Sequence, residues 1–151
     1  MSYREEKIAK ARELFLSGYN CAQAVAGAFA PEMGMEELAV VRLASGFGGG
    51  LGGIRVLCGA FSAMCMVMSQ VHGYDDAEDM EGKKSLYARE QRLGAIFTDQ
   101  YETLNCRELL AKAGIEAKSM PSERTPEYYR VRPCVKYVEA CAGILADEIG
   151  E

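Results

Sequence analysis

GFGGGLGGIRVLCGAFSA, Gly46 to Ala63, is the stretch that decides the fold. Six of the eight residues from Gly46 to Gly53 are glycine, so the backbone there can take positive φ and let another element approach it closely. The expected role is a tight turn packed against its neighbours. Between Arg42 and Asp75 the only residue charged at neutral pH is Arg55. The segment behind it, about 56–71, is therefore expected to be a central apolar helix, with Cys58, Phe61, Cys65 and Met68 on one side. The charge-free run approaches the ~20 residues of a membrane span, but Gly59, Ser62, Ser69, Gln70 and His72 favour a buried core helix. Gly48-x-Gly50-x-x-Gly53 matches a dinucleotide fingerprint in spacing only: no strand precedes it, and there is no Walker lysine.

The flanking sequence reads as helices. Ser2 and Glu5 form a capping box ahead of an apolar stripe at Ile8, Ala11, Leu14 and Phe15, and Gly18 closes that helix. Asn20-Cys21-Ala22-Gln23 opens the next one, which Pro31 ends. A third runs from about Glu36 to Ala44 into the glycines. Residues 76–100 form a long charged helix with Met80, Leu86, Leu93 and Phe97 inward. Asn105-Cys106-Arg107-Glu108 repeats the asparagine cap, and Arg132-Pro133-Cys134 opens the last helix, where Cys134, Val138, Cys141 and Leu145 share a face. Residues 115–130, with Pro121 and Pro126, are expected to be a surface connection holding one short helical turn; Tyr128-Tyr129 suggests a surface contact. The expected architecture is all-α: one domain, 1–151, a bundle of about six to seven helices around the helix at about 56–71.

A net charge of -5, spread along the chain, argues against nucleic acid or an anionic membrane as partner. The polar opening Ser2 to Lys7 lacks the apolar run of a signal peptide, so a cytoplasmic setting is expected. In a reducing compartment, six cysteines point to metal or redox chemistry and not to a disulfide framework.

Four of them, Cys21, Cys58, Cys106 and Cys134, fall where helices should begin. A thiol there faces unpaired N–H groups and the positive end of the helix dipole, which favour the thiolate. Cys65 and Cys141 lie two turns deeper and read as core. There is no Cys-x-x-Cys, so any shared site must be assembled by tertiary folding. Arg55 is a candidate charge partner. Gly48, Gly49 and Gly50 are candidate backbone contacts for a bound group. His72 reads as the C-terminal cation of the central helix and not as a ligand.

Gly18-Tyr19-Asn20-Cys21-Ala22-Gln23-Ala24-Val25, Phe47-Gly48-Gly49-Gly50 with Cys58-Gly59-Ala60, Cys106-Arg107-Glu108-Leu109-Leu110 and Cys134-Val135 resemble the redox-active family named C_GCAxxG_C_C for its cysteines. The resemblance covers about residues 5–145 and assigns the family cysteines to Cys21, Cys58, Cys106 and Cys134. Leu57 and Ala63 stand where the family pattern carries glycine. A similar domain occurs in split-Soret cytochromes, where the resemblance would suggest an iron–sulfur centre.

Three functions follow as expectations. The first is a thiol-based oxidoreductase cycling disulfides among the four cysteines. In the second, the same four thiolates bind an iron–sulfur cluster or zinc. The third is a helical interaction module without catalysis. An unidentified redox partner is expected, with no nucleic acid and no membrane, and a homo-oligomer is compatible with all three.

Overall fold

The computed structural model describes residues 1–150 and is all-α, with no β-strand among them. Helix α1 (Tyr3–Leu16) is capped by Ser2, whose side chain accepts from the Glu5 N–H. It closes at Gly18, φ 113°, with Tyr19 N donating to Leu14 O and Gly18 N to Phe15 O, the paired bonds of a Schellman motif. Helix α2 (Cys21–Ala28) is short and rich in alanine, which lets it lie close to several neighbours. A single turn, α3 (Ala30–Met33), carries Pro31 near its start and ends at Gly34. Helix α4 (Glu37–Ala44) leads to the glycines.

From Gly49 to Gly53 every residue has positive φ: Gly49 65°, Gly50 64°, Leu51 72°, Gly52 59° and Gly53 86°. This is one left-handed turn, a conformation that costs an L-residue roughly 1–2 kcal/mol. Glycine removes that cost at four of the five positions, which explains the density of glycine. The turn is closed by Gly52 N donating to Gly48 O, Arg55 N to Gly49 O and Val56 N to Gly50 O. Arg55 is itself left-handed, φ 65°.

The central helix α5 runs from Gly59 to His72 and not from 56. Residues 56–58 stay outside the helix because their backbone is engaged elsewhere. Cys58 N donates to Leu104 O and Cys106 N to Val56 O, forming an isolated antiparallel bridge between Leu57 and Asn105. Cys58 is therefore the N-cap of α5, just outside its first turn.

Helix α6 (Met80–Tyr101) covers the core with Leu86, Leu93 and Phe97; Met80, expected inward, is exposed in its first turn, which Asp79 caps. Two short helices follow, α7 (Cys106–Ala111) and α8 (Pro126–Val131), and then α9 (Cys134–Ile149). With these short turns the chain has more helical elements than the six or seven expected. α2, α5 and α9 share the centre, so α5 is one of three buried helices and not the sole axis. Cys141 is in the core as expected, whereas Cys65 is half-buried at the surface of α5. Glu148 on α9 takes Arg89 (3.0 Å) and Arg92 from α6, tying the cover to the bundle. No helix among the described residues is long and apolar enough to cross a membrane.

Candidate functional site

The asparagine cap places Cys21. Asn20 Oδ1 accepts from Gln23 N (2.8 Å), and Gln23 Oε1 accepts from Asn20 N (3.1 Å), the reciprocal capping box read in the sequence. The remaining donors reach outward: Asn20 Nδ2 to Ser45 O (3.0 Å) and Gln23 Nε2 to Val41 O (2.9 Å). The start of α2 is thus fastened to the segment that enters the glycine turn. The fit is close: a Cβ on Gly48 would lie 2.4 Å from Asn20 Cγ. A Cβ on Gly59 would lie 2.8 Å from the Cys21 sulfur and 2.8 Å from Phe47 O. Cys21 Sγ therefore rests on bare backbone next to Cys58.

Cys106 arrives from the other side. Asn105 Oδ1 caps α7 by accepting from Glu108 N (3.0 Å). The return bond of a capping box is replaced by a relay: Glu108 Oε1 accepts from Thr103 Oγ1 (2.6 Å), which in turn accepts from Asn105 N. A Cβ on Gly50 would meet Cys106 Cβ at 2.7 Å and Arg55 Cα at 2.7 Å. Gly50 is glycine both for its φ and for this contact. Arg55 is buried, 8 % exposed, and is held by Nε donating to Lys118 O (2.8 Å). Its Nη1 donates to Cys106 Sγ at 3.7 Å. Such a contact is charge-assisted when the sulfur is a thiolate.

Cys134 is the first residue of α9, with Pro133 as N-cap. It lines the same cavity of about 450 Å³ as Cys21, Cys106, Arg55 and the glycine turn. Cys58 lies one layer below, 5 % exposed and off the cavity wall.

The connection across 112–133 covers this cavity and is not a bare surface link. Arg124 crosses to the end of α1, donating to Phe15 O (3.3 Å) and Tyr19 O (2.9 Å). Its guanidinium lies over the rings of Phe15 (4.6 Å) and Tyr128 (4.7 Å). Arg132 sits over the same Tyr128 ring (5.0 Å) and donates to Ser122 Oγ (3.0 Å). Gly53 meets this cover so closely that a Cβ would fall 2.2 Å from Ser119 O. Arg124, Tyr128 and Arg132 are the site residues that sequence reading missed. Their spacing of four was a usable signal, two cations placed either side of one aromatic, although the helix α8 spans only Pro126–Val131 and both arginines lie outside it.

Burial overrides the expected activation at three of the four cysteines. Cys134 is pushed up to about 12, by burial first and then by the Cys21 charge, with Arg132 and Arg55 opposing. Cys58 is raised by burial, then by Cys21. Cys21 is raised by burial and by Cys106, against the pull of the N–H groups of Gly49, Ala22 and Cys21. Backbone donors do face the sulfur, as helix starts imply, but desolvation of the thiolate outweighs them. Cys21, Cys58 and Cys134 still lie close enough to another of the four cysteines to feel its charge.

The folded chain thus brings Cys21, Cys106, Cys134, Arg55 and the backbone of Gly48 and Gly49 to one cavity, with Cys58 beneath; Gly50, expected beside them, is off the wall, packed against Arg55 and Cys106. Among the described residues no three His, Cys, Asp or Glu side chains converge closely enough to hold a metal ion. The four cysteines share a neighbourhood without forming a ready ligand set. Leu57 is accommodated because its side chain turns to a surface groove with Phe47 and Met66. Ala63 is fully buried, as the glycine of the pattern would be.

The family model described as "Putative redox-active protein (C_GCAxxG_C_C)" matches residues 19–148. No curated protein and no solved structure matches the chain.

Proposed function

The chain belongs to the C_GCAxxG_C_C family, and from that premise we propose that it is a thiol–disulfide redox protein in which Cys106 attacks and Cys21 resolves. The observation that carries this reading is the Arg55 guanidinium 3.7 Å from the Cys106 sulfur, in a cavity that also exposes Cys21. The thiolate is the attacking form, and Cys106 is the cysteine with a cation donating to its sulfur. The Cys106 thiolate attacks one sulfur of a disulfide, and the other sulfur leaves as a thiolate that takes up a proton. Cys106 then carries no charge, so the repulsion that helped hold Cys21 protonated is gone. Cys21 loses its proton and attacks the Cys106 sulfur. The second thiolate departs with that proton. Two electrons have passed to the substrate, and the protein holds a Cys21–Cys106 disulfide. Cys58 and Cys134 remain thiols at neutral pH.

The test separates attack from resolution. Reduced Cys21→Ser protein, given a small disulfide, should accumulate a mixed disulfide on Cys106, seen as a mass increase of one half-molecule. Cys106→Ser should form no such adduct at a comparable rate. An unchanged rate in Cys106→Ser contradicts the assignment. Visible absorption with acid-labile sulfide in anaerobically prepared native protein would replace it with the cluster reading.

A further inference from the structure

The charges around the cavity point beyond the cysteines. In a chain of net charge -5, its wall carries Arg55, Arg124 and Arg132 and neither Asp nor Glu. Among the described residues none of these arginines is paired with a carboxylate, although nine ion pairs form elsewhere. The arginines are not equivalent. Arg124 spends both terminal nitrogens on Phe15 O, Tyr129 Oη and Tyr19 O, and serves to fasten the cover. Arg55 uses Nε and Nη1, leaving Nη2 without a protein partner. Arg132 uses Nη2 alone, on a serine hydroxyl. Two guanidinium groups therefore keep free N–H donors at a wall that also carries the Cys106 sulfur. A guanidinium fork matches a carboxylate in shape and charge. A cavity of about 450 Å³ has the size of a small-molecule site, too small for a folded partner to enter.

We propose that the substrate is a low-molecular-weight disulfide bearing carboxylates, drawn in and oriented by Arg55 and Arg132 so that its sulfur meets Cys106. This rests on the thiol–disulfide reading and adds the charge of the substrate to it. The reaction is the exchange already written: the substrate disulfide is reduced to two thiols, and the protein dithiol is oxidised. Cations lining a confined cleft concentrate anions and raise encounter rates, and added salt screens the effect.

The experiment uses the full reduced chain and three small disulfides of similar size. These are dithiodipropionate with two carboxylates, bis(2-hydroxyethyl) disulfide without charge, and cystamine with two ammonium groups. Each rate is divided by the rate of the same disulfide with free 2-mercaptoethanol, which removes intrinsic reactivity. The expected result is dithiodipropionate at least about tenfold faster than the neutral probe, cystamine slowest, and a preference that shrinks as salt rises. Arg132→Gln should reduce the anionic-to-neutral ratio. The ratio is the informative quantity, because a change in the nucleophile alone slows both probes alike. Reaction with all three probes at equal corrected rates overturns the anionic substrate and leaves the dithiol reading standing. No reaction with any of them overturns both.

Discussion

Cys106 and Cys65 are both half-buried, and their neighbours carry opposite charge. Cys106 has the Arg55 guanidinium at 3.7 Å, in a cavity without a carboxylate. Cys65 is pushed up to about 12, by burial and then by the Glu90 carboxylate. Exposure is the same in kind, so what separates the two thiols is what the fold brings alongside them. The glycine turn does this for Cys106: it removes the atoms that would keep Arg55, Cys21 and Cys106 apart. Nothing comparable surrounds Cys65, which sits mid-helix on α5 between two surface grooves. A helix start does not by itself make a thiol acidic: burial pushes both Cys134 and Cys58 up.

The largest expected effect comes from breaking the turn itself. Gly50→Ala must place a Cβ at positive φ, 2.7 Å from both Cys106 Cβ and Arg55 Cα. It should cost about 3 kcal/mol, read as a fall of roughly 6–12 °C in Tm. Gly46→Ala, with nothing within 4 Å and no positive φ, should stay within about 0.5 kcal/mol. Equal losses at the two positions would mean that the turn does not depend on the close approach.

Swapping the neighbours is the next test. Arg55→Gln, which removes the cation 3.7 Å from the sulfur, should slow iodoacetamide labelling of Cys106 at pH 7.5, followed site by site with mass spectrometry. Glu90→Gln should speed labelling of Cys65 by roughly two- to threefold, because burial is the larger cause there and remains. If neither rate moves, the charge comparison fails.

The smallest effect is on the alkaline limb of stability. Cys134 holds its proton more tightly folded, to about 12, than unfolded, near 9.0. Its contribution is therefore complete below about pH 9 and is lost as pH rises toward about 12. Cys134→Ser should make urea stability fall less steeply with pH in that window; an unchanged slope would show that folding does not desolvate the Cys134 thiol.

Local signals were legible in the sequence. Asn20 with Gln23, and Asn105, are cap residues that act within one turn, so they placed Cys21 and Cys106 at the first helical positions. The glycine turn was legible as a turn, because its composition leaves few alternatives. Its left hand was not, since it depends on which carbonyls Gly52, Arg55 and Val56 find. The start of α5 was read three residues early because the bonds that hold 56–58 out of the helix go to residues 104–106. The cover was read as a surface link for the same reason: Arg124 is anchored to Phe15 and Tyr19, more than a hundred residues away. The thiol acidities were misjudged because a helix dipole is local and desolvation is tertiary.

Cys21 and Cys106 stand or fall together on one measurement. The reduced native protein is oxidised with a slight excess of a small disulfide, alkylated, digested and mapped by mass spectrometry. The predicted product is an intramolecular Cys21–Cys106 disulfide, with Cys65 and Cys141 recovered as alkylated thiols. Recovery of both Cys21 and Cys106 as free thiols, with oxidation confined to Cys65, would contradict the account.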